Sequence, residues 1–214
     1  MARDPYDHWN LLAGSVDSHC HLQVMKSRGL DIARIVRATD EAGMRLMDIS
    51  IDLEDLPQRL DLADGFPNVS LTAGFHPSAT PTVCRNATSL NDSMLALREA
   101  LTLPAIVAVG EIGLDYHWNY GTTNDQSALL DSQLQMAADT GLPVIIHNRE
   151  ADTAVLSHLK NHPHLSCVVM HCFSSDRQFC ERCLDLGYMI SFAGNLTYKK
   201  SQDIREAAAI VPDD

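Results

Sequence analysis

Ile106-Val107-Ala108-Val109-Gly110-Glu111 is the stretch on which the fold turns. Its run of residues without a polar side chain suits a strand buried on both faces, as in a parallel sheet covered by crossover helices. The run then ends in a carboxylate. The same pattern recurs along the chain: Val144-Ile145-Ile146 leads to His147, Val168-Val169-Met170 to His171, and Leu71-Thr72-Ala73-Gly74-Phe75 to His76. The first strand candidate carries His19 and His21, whose spacing of two puts both side chains on one side of the strand.

Working outward, the strand candidates are Ser15–Leu22, Met44–Ile51, Val69–Phe75, Ile106–Gly110, Val144–Ile146, Cys167–Met170 and Tyr188–Phe192. Helical patterns lie between them. Thr123 with Gln126 has capping-box spacing and opens a helix through Leu129, Leu130, Leu134 and Ala137 to Gly141 and Pro143. A second helix starts near Ser175, groups Phe179, Cys180, Cys183 and Leu184 on one face, and stops at Gly187. A third turns Ile32, Ile35 and Val36 inward and ends near Gly43. Strand and helix alternate on the scale of a βαβ unit, which means α/β and leaves a doubly wound sheet and a TIM barrel both open. The polar residues decide. A doubly wound sheet gathers ligands at one switch-point crevice, whereas a barrel brings the C-terminal ends of all its strands around one mouth. The expectation is a TIM (β/α)8-type barrel in a single domain over residues 1–214.

Composition narrows the class. The chain has 214 residues, 45% of them hydrophobic, enough for one sizeable core. A net charge of −12 argues against a broad basic face for long nucleic acid. It leaves a phosphate substrate open, because bound divalent cations can reverse the local sign. No apolar run is long enough to cross a bilayer, and Met1-Ala2-Arg3-Asp4-Pro5 opens no signal-peptide core. Six cysteines in a chain of this length read as free thiols, so the expected address is cytoplasmic, with no membrane contact.

A lone histidine after a strand is ordinarily a hydrogen-bonded structural residue. Histidine or glutamate at the ends of five strands asks for another explanation, and a divalent-metal site supplies it. Imidazole and carboxylate together suit zinc, manganese, iron or nickel, while magnesium prefers mostly oxygen. His19, His21, Glu111, His147 and His171 exceed the four ligands of a closed structural zinc site. Glu111 could bridge two ions at the roughly 3.5–4 Å separation of binuclear hydrolases. Such a pair serves a phosphodiester, an amide or a lactone.

The sequence resembles the TatD family of metal-dependent deoxyribonucleases, within the amidohydrolase-like barrels. The resemblance rests on Asp17-Ser18-His19-Cys20-His21-Leu22, Gly74-Phe75-His76-Pro77, Val109-Gly110-Glu111-Ile112-Gly113-Leu114-Asp115-Tyr116, Pro143-Val144-Ile145-Ile146-His147-Asn148-Arg149-Glu150-Ala151, His171-Cys172-Phe173-Ser174 and Ile190-Ser191-Phe192-Ala193-Gly194. These arrive in family order from about Val16 to Lys200. The resemblance implies His19 and His21 on one metal, His147 and His171 on the other, and Glu111 between them as the central catalytic carboxylate. It implies His76 and Arg149 on substrate phosphate, with His76 also catalytic. The implied cofactor is a pair of divalent ions such as Mg, Mn or Zn. The implied partner is DNA, as ends or single strands, hydrolysed often in the 3′ to 5′ direction.

The family closes its site on strand eight with a Glu-Thr-Asp motif, and this sequence ends at Pro212-Asp213-Asp214. The expectation is about seven βα units with strand eight missing, Asp213 and Asp214 standing in the turn before it. That would leave strands one and seven with unpaired edges. It would also remove the expected proton acceptor, so a catalytically impaired metal-binding fragment is one alternative. The other is an amidohydrolase acting on a small amide or lactone. That class often bridges its metals with a carboxylated lysine, and no lysine ends a strand candidate here.

Further residues are read as follows. Cys180-Glu181-Arg182-Cys183 lies on an apolar helix face and reads as core, as does Cys20. Asp17 reads equally as a partner behind the ligands or as a barrel-floor carboxylate. Tyr116, His117 and Trp118 read as loop packing rather than base stacking, Lys199 and Lys200 as a solvated pair, and His158, His162 and His164 as surface residues. Ser78 and Ser175 depart from the family pattern in substrate-facing loops.

Overall fold

The computed structural model describes residues 13–212. Seven strands, β1 (Val16–Cys20), β2 (Arg45–Asp48), β3 (Val69–Ala73), β4 (Ile106–Asp115), β5 (Val144–Arg149), β6 (Val168–Met170) and β7 (Met189–Ile190), pair in chain order, every pair parallel. Helices α1 (Leu22–Ser27) and α2 (Ile32–Glu41) follow β1, and α3 (Leu56–Gly65) follows β2. Next, α4 (Thr80–Val83) and α5 (Ala87–Ala100) follow β3, and α6 (Thr123–Thr140) follows β4. Finally α7 (Asp152–Asn161) follows β5, α8 (Arg177–Asp185) follows β6 and α9 (Gln202–Ala208) follows β7. Among the described residues no helix is long and apolar enough to cross a membrane. This is the α/β barrel architecture expected, with seven βα units. Among the described residues no pairing joins β7 to β1, but the hydroxyls of Ser18 and Ser191 meet across that gap at 3.1 Å.

Two apolar layers follow from strand alternation. Ile49, Ala108 and Ile145, with Met47 and Val169 against them, fill the barrel interior. Leu46, Leu71, Val109, Val144, Ile146, Val168 and Met170 face outward, into the larger core beneath the helices. Inside that outer layer one ion pair is buried: Arg59 of α3 donates through Nε to Asp48 Oδ2 at 2.8 Å, both residues being 1% exposed. Asp48 Oδ1 accepts from the Leu22 N–H at 2.7 Å. The end of β2 therefore pins the turn that follows His21.

Several boundaries differ from the sequence expectation. β4 does not stop at Gly110; it runs to Asp115, and β5 runs to Arg149, so Glu111 and His147 sit within strands rather than beyond them. The reason lies in Gly113, where a Cβ would come within 1.9 Å of the His147 carbonyl oxygen. Only glycine lets the two backbones approach that closely, and the ladder continues. The α6 cap also differs. Thr122, not Thr123, is the N-cap: its Oγ1 accepts from Asp125 N at 3.1 Å and donates to Asp125 Oδ2 at 2.7 Å. Gln126 has another task. It is buried, receives the Asp115 N–H at 2.9 Å and donates to the Asp115 carbonyl at 3.0 Å. Gln133, two turns on, does the same to Phe75, at 2.7 and 3.1 Å. Two buried amides of α6 thus hold the backbone at two points of the barrel mouth.

Candidate metal centre

The site is built where three register irregularities fall. Between the pairs Val109↔Val144 and Ile112↔Ile146, β4 spends one residue more than β5, and Glu111 lies in that bulge. Between Asp17↔Leu46 and Cys20↔Asp48, β1 spends one more than β2, and His19 lies in that one. A third falls between β3 and β4, past Leu71. Bulges re-aim side chains, and here two of them turn polar groups toward the barrel axis. His21 is the N-cap of α1; His171 follows β6 directly.

Glu111 is the centre of the cluster. Its Oε1 lies 2.7 Å from His147 Nδ1 and 2.8 Å from His171 Nε2, and its Oε2 lies 3.3 Å from His19 Nε2. His19 and His21 approach at 3.2 Å through Nε2, and the rings of His19 and His171 stack at 3.5 Å. All five residues singled out in the sequence are therefore brought together. Burial penalises the Glu111 carboxylate, but hydrogen bonds from His147, His171 and His19 outweigh it and hold its pKa well below the usual range. The central carboxylate is ionised.

The histidines divide by surroundings. Burial lowers the pKa of His19 and of His21, so both favour the neutral, ligating form. His147 is half-buried as well. There the bond to Glu111 and the neighbouring Asp115 outweigh desolvation and raise its pKa.

The donor set fits a divalent cation. His21 Nδ1 faces the Ile49 carbonyl at 3.0 Å. A carbonyl can only accept, so the proton is on Nδ1 and the Nε2 lone pair faces His19. Glu111 Oε2 is also an acceptor, while His19 Nδ1 is buried with no hydrogen-bond partner among the described residues. Lone pairs gathered this closely in a buried site call for a cation. Their separations of 3.2 and 3.3 Å match the roughly 3.3 Å between ligand atoms that 2.0–2.1 Å bonds give in a tetrahedral shell. His19, His21 and Glu111 form one ligand group, and His76, Glu111 and His147 form a second.

His76 has a distinct geometry. The Ser78 N–H donates to its Nδ1 at 3.0 Å, so Nδ1 is unprotonated and a neutral ring carries its proton on Nε2. Burial pushes its pKa down to about 4, which keeps the ring neutral near pH 7. Its ring stands edge-on to His147, 4.5 Å away. Ser78 is therefore the residue that orients His76. Arg149 lines a cleft together with His147, Asn148, His171, Cys172 and Ser174.

One residue of the site was missed in the sequence, although its position inside the Glu111 motif was a signal. Asp115, four residues after Glu111, is buried, and its Oδ2 meets His147 Nε2 at 3.1 Å. His147 therefore lies between two carboxylates. Other expectations need correction. Asp17 is exposed, which removes the barrel-floor reading; its Oδ1 accepts from the His19 backbone N–H at 3.1 Å. His158 and His162 are half-buried rather than free on the surface, meeting Asp131 of α6 at 2.7 and 3.4 Å, because α6 and α7 pack side by side. Cys180 and Cys183 are buried in the core as expected, and burial drives the Cys183 thiol up to about 12. Asp213 and Asp214 lie outside the described residues.

Residues 16–214 match the family model described as TatD related DNase. A Mycobacterium tuberculosis protein named "Uncharacterized metal-dependent hydrolase TatD" is 30% identical over 205 residues, covering 92% of this chain and 75% of that protein. An Edwardsiella piscicida protein named "3'-5' ssDNA/RNA exonuclease TatD" is 36% identical over 170 residues, covering 77% of this chain and 62% of that protein. The crystal structure of the TatD homologue YJJV from Escherichia coli K12 superimposes with a TM-score of 0.79 at 32% identity, over 92% of this chain and 74% of that one.

Proposed function

The chain belongs to the TatD-related DNase family of metal-dependent hydrolases, and from that membership we propose that it hydrolyses phosphodiester bonds at single-stranded DNA ends, in the 3′ to 5′ direction. One observation carries the reading: an ionised, buried Glu111 carboxylate meets imidazole nitrogens of His19, His147 and His171 within 3.3 Å. Two ligand groups share that carboxylate, His19–His21–Glu111 and His76–Glu111–His147, which supports two divalent ions, Mg, Mn or Zn, with Glu111 able to serve both. His19 and His21 would hold one; for the other we take His147 with His171, whose Nε2 lies 2.8 Å from Glu111, and leave His76 to the substrate. Ions at such a site supply Lewis acidity, activating water and neutralising phosphate charge.

The remaining steps belong to the chain's own residues. Glu111 holds negative charge at the centre without titrating near neutral pH. His76 presents its Nε2–H to a phosphate oxygen while Ser78 keeps the ring in that tautomer. Arg149 meets a further phosphate oxygen with a fixed positive charge. The Edwardsiella relative's name supports an exonuclease acting on single strands. All six cysteines are unpaired, which supports a reducing compartment such as the cytoplasm.

The experiment uses a single-stranded oligonucleotide labelled at its 5′ end, with magnesium, manganese or zinc supplied. The parent protein yields a ladder shortening from the 3′ end. Glu111→Ala, folded by circular dichroism, yields none and retains less metal. A folded parent that shortens no oligonucleotide with any of the three metals overturns the proposal.

A further inference from the structure

Beside the Glu111 cluster, the barrel mouth carries an aromatic surface that hydrolysis itself does not use. Trp118 is 52% exposed, although its loop is anchored deep in the site. Its backbone N–H donates to Asp115 Oδ1 at 3.0 Å, and the other oxygen of that carboxylate is the one that meets His147. The Arg149 guanidinium lies over the indole, 5.5 Å from the ring centroid. Arg149 and Asp115 are register partners across β4 and β5, so the two anchors of this surface are fixed by the sheet. The His117 ring stands edge-on to the indole at 4.9 Å and bonds Glu150 Oε1 through Nδ1 at 2.7 Å.

A large ring held this firmly, yet half in water, leaves apolar area available to a ligand. The charges around it point the same way. Asp152 is occupied by Asn148 and Ser175, at 2.6 and 2.7 Å, and Glu150 by His117. Among the described residues no carboxylate pairs with Arg149, so its positive charge stays available to an anion. Arg149 also stands between two spaces. One is the cleft that contains His147 and His171. The other is an open cleft of about 770 Å³ lined by Tyr116, Arg149, Asp152, Ser174 and Ser175, within the size range of small-ligand sites.

We propose that Trp118 and Arg149 form a shelf for one unpaired nucleobase, on which the base stacks while the adjoining backbone runs past Arg149 toward the Glu111 cluster. Any base presents a π-face, so the shelf tolerates all four. It refuses a base within a duplex, whose faces are already stacked, and the site thereby selects single-stranded ends. The inference rests on the phosphodiesterase reading and adds the residues that recognise the substrate.

The test is binding, measured by anisotropy with magnesium, of two labelled single-stranded oligomers with hydrolysis-resistant phosphorothioate backbones. One is thymidine throughout; the other is abasic at every position. The parent binds the thymidine oligomer on the order of tenfold more tightly. Trp118→Ala brings the two affinities together, and Trp118→Phe keeps most of the preference. Equal affinities in the parent, or a Trp118→Ala variant that retains the parent's preference, overturns the shelf. A parent that prefers the thymidine oligomer but hydrolyses no phosphodiester version of it sinks the hydrolase reading and leaves the shelf standing.

Discussion

Replacing Asp115 by Asn tests how His147 is presented to a metal. The carboxylate divides its two oxygens between the loop and the ring: Oδ1 receives the N–H groups of His117 and Trp118, each at 3.0 Å, and Oδ2 receives His147 Nε2 at 3.1 Å. A carboxylate only accepts, so without metal the ring donates to Asp115 through Nε2 and to Glu111, 2.7 Å away, through Nδ1; a cation in the cluster would displace the Nδ1 proton, and Asp115 would keep the one on Nε2. The amide of Asp115→Asn keeps one oxygen for the two backbone groups, so the loop stays anchored. Its NH2 then turns toward His147 Nε2, which must accept, and the proton moves to Nδ1. A ring protonated there has no lone pair for a cation. Losing such an outer partner costs about 10–100-fold in metal affinity, or roughly 1.4–2.7 kcal/mol. Because metal binds only the folded chain, the same free energy disappears from metal-induced stabilisation at a fixed saturating concentration. For a protein of this size the metal-dependent rise in Tm should shrink by roughly 3–10 °C. Thermal unfolding with and without manganese, paired with calorimetric titration, reads both quantities. An Asp115→Asn variant that unfolds like the parent without metal and binds manganese with the parent's affinity refutes the reasoning.

Two further outcomes concern stability. Arg59→Ala leaves the Asp48 carboxylate buried and without its guanidinium, which should lower the unfolding free energy by about 3–5 kcal/mol in urea titrations; a loss under 1 kcal/mol would show that Asp48 is satisfied by the Leu22 N–H alone. Acid should destabilise the metal-stripped protein. His76 has a folded pKa of about 4, below the ordinary 6.5 of the unfolded chain, so its contribution is present above pH 6.5 and lost as pH falls through 4, a change of about 3 kcal/mol. His19 and His21 are lowered and act in the same direction, while His147 is raised and opposes them. The urea midpoint should therefore drop between pH 6.5 and 4, and a flat profile over that window would contradict the burial assigned to these rings.

What the sequence made legible was the set of atoms. Apolar runs ending in His or Glu mark strands whose ends meet in a barrel, and His19, His21, Glu111, His147 and His171 do meet. What it left obscure was how those atoms are aimed. The run Ile106 to Gly110 reads as a finished strand because it ends in a glycine and a charge follows, yet β4 continues to Asp115. Periodicity cannot show that Gly113 admits the His147 carbonyl at a distance no Cβ allows, nor that one extra residue in the ladder turns Glu111 inward. Asp115 was hidden for the same reason: with β4 ended at Gly110, it reads as loop. Gln126 was assigned to a cap because capping-box spacing is a local signal, whereas its hold on the Asp115 backbone is a tertiary one.

These aiming devices bear on how the metal and the fold depend on each other. β1 carries His19 at one edge of the sheet, and His171 follows β6, next to the other edge at β7. Among the described residues these edges share no backbone ladder, and the Ser18–Ser191 contact and the stacked rings of His19 and His171 lie between them. Glu111 reaches His19 with one oxygen and His171 with the other, so a single buried carboxylate links β1 to β6 through the barrel interior. Ions held by these five side chains would tie β1, β4, β5 and β6 with bonds far stronger than a ring stack or a hydroxyl pair. Ligand sets of this kind do not exist in an unfolded chain, so their binding free energy becomes folding free energy. The cluster is then both the proposed reaction centre and a tie among four strands of the barrel interior.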